Sequence, residues 1–262
     1  MTDSLLTNVV IYLCGVMILW YFAGTALNRR RATELFRALQ QARPELGERF
    51  GQLVGRPNQS LKTQVAQPRA PYARVTVHFV LEAREILFLW LINRYLRGKR
   101  DQMVVHIELL IPPSHSLLLA DQETQLGRLA VEKAREGGHV TEAVPVRGDL
   151  TLQRWGESKT EERLAADFAR TGIRPGLPLS VLRTQRTSPQ VLLICGLERA
   201  QGEELQQLFR RLRQLAIDAV KGDGNKGDKA TRAREPRQSV GKAGSQKSAA
   251  QPEQSEQSPA SK

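Results

Sequence analysis

Cysteine is scarce: the 262 residues hold two, Cys14 and Cys195, together with four histidines. Cys14 falls in an apolar run near the start and Cys195 in another far along the chain, so no disulfide framework is expected. That suits a reducing compartment for the body of the chain, with both thiols as packing residues. His78, His106, His115 and His139 are scattered, and the cysteines do not join them at metal-ligand spacing. The phosphate-cradling G-x-x-x-x-G-K-[ST] and G-x-G-x-x-G loops are missing, as are H-E-x-x-H and the G-x-S-x-G elbow. The paired acids Glu161-Glu162 and Glu203-Glu204 fall in the first turns of expected helices, where the helix dipole accounts for them. The sequence therefore assigns no catalytic, metal or cofactor-binding residue, and a binding role is expected rather than an enzyme.

Charge is absent from one long stretch. Leu5–Leu27 contains no Asp, Glu, Lys or Arg. As a helix rising about 1.5 Å per residue it exceeds the roughly 30 Å hydrocarbon core of a bilayer. A cleaved signal peptide is the rival reading, and Ala23-Gly24-Thr25-Ala26 imitates a cleavage site. Against it, the run is long, Asp3 stands where a basic residue belongs, and the basic cluster follows the run. No Lys or Arg precedes the run, whereas Arg29, Arg30, Arg31, Arg37 and Arg43 follow it. The positive-inside rule then puts the amino terminus outside or in a lumen and the carboxyl terminus in the cytosol. The membrane would be the endoplasmic reticulum in a eukaryote and the plasma membrane otherwise.

The net charge is +12 and the isoelectric point near 10.2. A basic body beside a membrane has two natural polyanions, anionic lipid and RNA, with a merely solvated surface as the plain alternative. The expected organisation is a short extracytoplasmic end (1–4), the membrane helix (5–27), juxtamembrane helices and a loop (28–71), one cytosolic domain (72–220) and a disordered basic tail (221–262). The tail is rich in Gly, Ser, Gln, Ala and Lys, and Val240 is its one large apolar residue. Such a composition cannot offset the entropy of ordering.

The domain reads as α/β or α+β, a mixed sheet with flanking helices. Ala32–Phe50 has helical spacing broken at Pro44, and residues 55–71 read as a loop. Tyr72–Val80 alternates as a strand. Gln102–Ile111 and Ser116–Ala120 read as strands joined in a hairpin across Pro112-Pro113. Asp121–Arg135 is an expected helix capped by Asp121. Val140–Val146 and Leu150–Trp155 are short strands, and Ser158–Thr171 a helix with a Ser158/Glu161 capping box. Leu179–Leu182 and Val191–Leu197 form a closing pair of strands, the second central because it is nearly all apolar. Gly202–Val220 is an amphipathic helix expected to pack on the sheet.

Leu81–Gly98 is the most informative soluble stretch. Ile86 to Ile92 is apolar without interruption, and Arg94, Arg97, Lys99 and Arg100 follow. A helix apolar all round is buried, or meets lipid or a partner. Either this is a core helix, or Ile86, Phe88, Leu89, Trp90 and Ile92 form a membrane or partner contact. In the second case Arg29, Arg30, Arg31, Arg94, Arg97, Lys99 and Arg100 would meet phosphate headgroups.

The order of features resembles the calumin family, single-span subunits of the PAT chaperone complex at the endoplasmic-reticulum translocon. The match rests on Leu91-Ile92-Asn93-Arg94-Tyr95-Leu96-Arg97 followed by Asp101-Gln102-Met103-Val104 and the strand through Ile107. Leu46, Phe50, Val54 and Gly55 after the span also match, as does Leu192–Ile194 leading to an amphipathic helix and a Lys/Arg-rich end. The resemblance implies a partner role in membrane-protein insertion or folding, without enzymatic activity. The family's acidic luminal segment and long charged C-terminal helix are not matched, so calcium binding and ribosome docking do not carry over. Two further readings remain: a membrane-anchored binder of RNA or anionic lipid, and a membrane-bound enzyme whose pocket gathers groups such as His106, Glu108 and His139.

Overall fold

A single helix, α1 (Thr2–Gln41), carries the whole apolar run and continues past the arginines without a break in the computed structural model. Residues 2–56, 60–114, 116–147, 150–156, 159–172, 176–198 and 201–221 are described. The expected tail lies outside these residues apart from Lys221, and so does the Ser158 half of the expected capping box. The first half of α1 is exposed along its apolar length. The second half buries Ala32, Leu35, Ala38 and Leu39, at helical spacing, against the domain. Pro44 sits in the first turn of the short α2 (Arg43–Leu46), where its missing N–H costs nothing.

All strand pairs are antiparallel. The strands are β1 (Gly47–Phe50), β2 (Val54–Arg56), β3 (Ser60–Pro68), β4 (Tyr72–Val80), β5 (Gln102–Leu109), β6 (Leu117–Ala120), β7 (Glu142–Arg147), β8 (Leu150–Gly156), β9 (Leu179–Thr184) and β10 (Val191–Gly196). Their order across the sheet is β1-β3-β4-β5-β10-β9-β6-β8-β7, with β2 beside β3. Helices α1, α2, α5 (Lys159–Gly172) and α6 (Gly202–Lys221) cover one face. There Val75, Val77, Phe79, Met103, Val105, Ile107 and Leu193 meet Leu35, Leu39, Phe168, Phe209 and Leu212. Helix α4 (Gln125–Glu136) covers part of the other face, where Leu118, Ala120, Val131 and Val181 form a smaller cluster.

Several sequence expectations hold. Strand β4 alternates buried and exposed as read, β10 lies centrally between β5 and β9, and α6 packs its apolar stripe inward. Others are corrected. Residues 60–68, read as loop, form β3, with Leu61, Thr63 and Val65 buried on alternate positions. Residues 47–50, read as helix, form the edge strand β1. Strand β6 does not return on β5. It pairs with β8 and β9, because β10 fills the position next to β5. The cap of α4 is Thr124, whose hydroxyl accepts from Gly127 N–H at 3.0 Å. Asp121 instead accepts the Glu123 N–H at 2.9 Å.

Candidate functional site

The site begins inside α1. Gly24 faces the backbone of residues 84–85 so closely that a Cβ there would lie 2.3 Å from the Arg84 carbonyl oxygen. That approach lets Trp20 donate its indole N–H to the same oxygen at 2.7 Å. One turn on, Asn28 is fully buried and must satisfy its amide within the protein. Its Nδ2 donates to Glu82 O at 3.0 Å and to Glu85 Oε2 at 3.2 Å, and its Oδ1 accepts from Arg84 at 2.7 Å.

Arg84 continues the chain of contacts to Asp101 Oδ2 at 2.8 Å, while Asp101 Oδ1 accepts the Glu82 N–H at 2.8 Å. Arg31 approaches Asp101 Oδ2 at 3.6 Å and donates to the Leu197 carbonyl. Glu82, its side chain 4% exposed, accepts from Trp90 Nε1 at 2.7 Å and from Arg94 at 3.0 Å. Burial of such carboxylates is tolerable only when paired and hydrogen-bonded, as here. The Trp20 and Trp90 rings lie 5.6 Å apart, and the Arg94 guanidinium sits 6.0 Å from the Trp90 centroid. A hollow of about 380 Å³ opens at this network, lined by Arg31, Glu82, Arg84, Arg94, Arg100 and Asp101 among others.

What the network holds is an apolar finger: α3 (Leu87–Leu91) runs into a π-helical turn, Ile92–Leu96, and neither buries a single residue. The core-helix alternative is therefore excluded for this segment. Ile86, Phe88, Leu89, Leu91 and Ile92 are exposed, and Tyr95 and Leu96 reach 74% and 80%. Trp90 turns back toward Glu82 and Trp20. The wider π turn, a form common at functional sites, lets Arg97 N–H reach the Ile92 carbonyl at 3.1 Å.

The basic residues read from the sequence divide. Arg31 and Arg94 point into the network. Arg100 bonds the Arg94 carbonyl at 2.9 Å and lies 3.6 Å from Glu198. Arg30 pairs with Glu34 one turn on, at 3.0 Å and exposed. Arg29, Arg97 and Lys99 are exposed and carry no ion pair among the described residues.

His106, Glu108 and His139 are not brought together. His106 and Glu108 line a polar hollow on the open face of β3–β5 with Lys62, Arg74 and His78. The His78 and His106 rings are 5.4 Å apart. Both imidazoles are held below their ordinary pKa, first by partial burial. His78 is then lowered by His106 and Lys62, and His106 by Lys62. His139 lies elsewhere, stacked on Trp155 with centroids 3.9 Å apart. Burial alone pushes the Cys195 thiol up to about 12, which agrees with a packing role. Among the described residues, no three His, Cys, Asp or Glu side chains gather as metal ligands.

Sequence reasoning missed Trp20, Gly24, Asn28, Glu82, Arg84 and Asp101 as a unit. The available signal was local: Glu82, Arg84 and Glu85 crowd directly before the apolar run 86–92, and Asn28 directly follows the uncharged run 5–27. The class defined is a mixed α/β protein: one long apolar N-terminal helix joined to an antiparallel sheet with flanking helices. No protein-family model matches the chain, and no curated protein matches it at a significant level.

Proposed function

We propose that this chain is a single-pass membrane-anchored protein that binds other proteins at the membrane surface, as an accessory factor in membrane-protein insertion or folding. The observation that carries the reading is the apolar finger 86–96, held against the anchor helix by buried polar contacts and left uncovered. Contiguous exposed apolar surface of this kind marks a protein or membrane interaction site. None of the apolar window of α1 is buried, whereas a core helix of a soluble protein would be. The helix also runs on into the domain core, which fits an anchor better than a leader. Arginines on the domain side favour a cytosolic domain. The role in insertion itself comes from the resemblance to the calumin family.

A second reading, binding of anionic lipid, draws on Arg29, Arg97 and Lys99, which flank the anchor and the finger without acidic partners among the described residues. A photoreactive amino acid placed at Phe88, at Leu96 and, as a control, at Thr76 separates the two in native membranes. Adducts with membrane proteins from Phe88 and Leu96 but not Thr76 are expected. Adducts with lipid alone would favour the second reading, and none from either finger position would overturn both.

A further inference from the structure

The sheet face opposite α1 and α6 has a cavity of its own. It lies between α4 and strands β6, β8, β9 and β10, and measures about 360 Å³. That is within the roughly 300–1,000 Å³ of small-molecule sites. Cross-strand register explains its walls. Trp155 stands beside Leu118, Leu118 beside Arg183, and Arg183 beside Leu192, one row across four strands. Ala130 and Leu126 of α4 form the roof. Alanines at 130 and 134 keep the helix surface low, so α4 spans the row without filling it.

The lining is apolar, and its titratable groups are all basic: Lys133, His139 and Arg183, with no carboxylate among them. Lys133 and Arg183 carry no ion pair among the described residues. The Arg183 Nε is enclosed and has no hydrogen-bond partner. Arg183 and Lys133 line the cavity with no carboxylate beside them, and an anion there would accept charge-assisted hydrogen bonds from them. His139, stacked on Trp155, adds a further polar edge at the same mouth.

We propose that this cavity binds a small amphiphile whose apolar chain lies along Leu118, Leu192, Leu126 and Ala130 and whose anionic head meets Arg183 and Lys133. The head is a carboxylate, as in a free fatty acid, or a phosphate, as in a phosphorylated single-chain lipid. Both present the same acceptor oxygens to a guanidinium. A cationic or neutral amphiphile of the same length leaves Arg183 unpaired and binds less well. Exposed finger residues and the anchor play no part in this site, so it stands or falls apart from the function proposed above.

The test uses the full chain in phosphatidylcholine vesicles, photolabelled with a diazirine-bearing decanoic acid and mapped by mass spectrometry. Label is expected on α4 and on β9–β10, in addition to whatever the apolar half of α1 collects as an internal reference. Unlabelled decanoate or decyl phosphate should displace the α4 label, the stronger competitor identifying the head. Decanol should not displace it. Arg183→Gln should lower labelling at α4 about tenfold, the loss of a charge-assisted contact, without changing label on α1. Ala130→Trp, on the helix surface, should abolish it by filling the cavity while the folded state persists. Label confined to α1, equal displacement by decanol, or full labelling of both variants would overturn the proposal.

Discussion

Asp101→Ala is expected to destabilise the protein by about 3–5 kcal/mol, the range for removing one partner of a buried ion pair. Asp101 is 6% exposed at its side chain, accepts two hydrogen bonds and faces a third cationic group. The Glu82 N–H and Arg84 guanidinium bond it at 2.8 Å each, and Arg31 lies at 3.6 Å. Removing the carboxylate leaves Arg84, itself 17% exposed, with Asn28 and a more distant Glu82. The Glu82 N–H loses its acceptor as well. Because Glu82 is what fixes Trp90 and Arg94, the damage should spread to the finger, and amide exchange at residues 87–96 should quicken. Chemical denaturation of the full chain in mild detergent measures the first effect and hydrogen exchange the second. A double-mutant cycle with Arg84→Ala should recover much of the loss as coupling. A cost under about 1 kcal/mol, the level of an exposed ion pair, would mean that the network is solvated and does not hold the finger.

Gly24→Ala should act against its own helix propensity. In an exposed helix this change stabilises by about 1 kcal/mol. Here the new Cβ would meet the Arg84 carbonyl oxygen at 2.3 Å, its carbon at 2.6 Å and Glu85 Cα at 2.8 Å. These are backbone atoms, so the 84–85 segment must move away, stretching the Trp20–Arg84 hydrogen bond and parting Trp20 from Trp90. The expected result is a lowered unfolding midpoint and faster exchange at 84–96, and Gly24→Val should be worse. Gly15 supplies the comparison: a Cβ there meets nothing within 4 Å. Gly15→Ala should be neutral or mildly stabilising. Equal behaviour of the two variants would show that α1 and the finger are not in close contact.

Elements whose cause is local were legible in the sequence. The apolar run of α1, the alternation of β4, the stripe of α6 and the nearly continuous β10 each follow from the period of one segment. Strand β3 was hidden because its exposed face is Ser60, Lys62, Gln64 and Ala66 between Pro57 and Pro68, which reads as a loop when the partner strands are unknown. Strand β6 was mispaired because nearness in sequence favoured a hairpin with β5. The neighbour there is β10, more than eighty residues on, and a non-local pairing of that kind leaves no mark in a local pattern. In the candidate site, the apolar finger was visible, while its exposure was one of two alternatives that the sequence left open. Burial depends on what packs against a segment, and among the described residues none covers this one, while Trp90 and Arg94 are turned inward by Glu82. Asn28 stands beside Arg29, Arg30 and Arg31 in the sequence, where nothing local marks its amide as the pivot between α1 and the 82–85 segment.

The measurement that bears most directly on the central claim is the depth of the finger. Nitroxide side chains at Phe88 and Leu96, with His78 as reference, are read in vesicles for accessibility to oxygen and to a water-soluble nickel chelate. The expected result is oxygen-rich, nickel-poor environments at Phe88 and Leu96, deepening toward the values of a nitroxide on the anchor at Ile18, and a water-like signal at His78. Water-like accessibility at both finger positions, with Ile18 buried in lipid, would contradict the claim that the finger stands beside the anchor at the membrane surface.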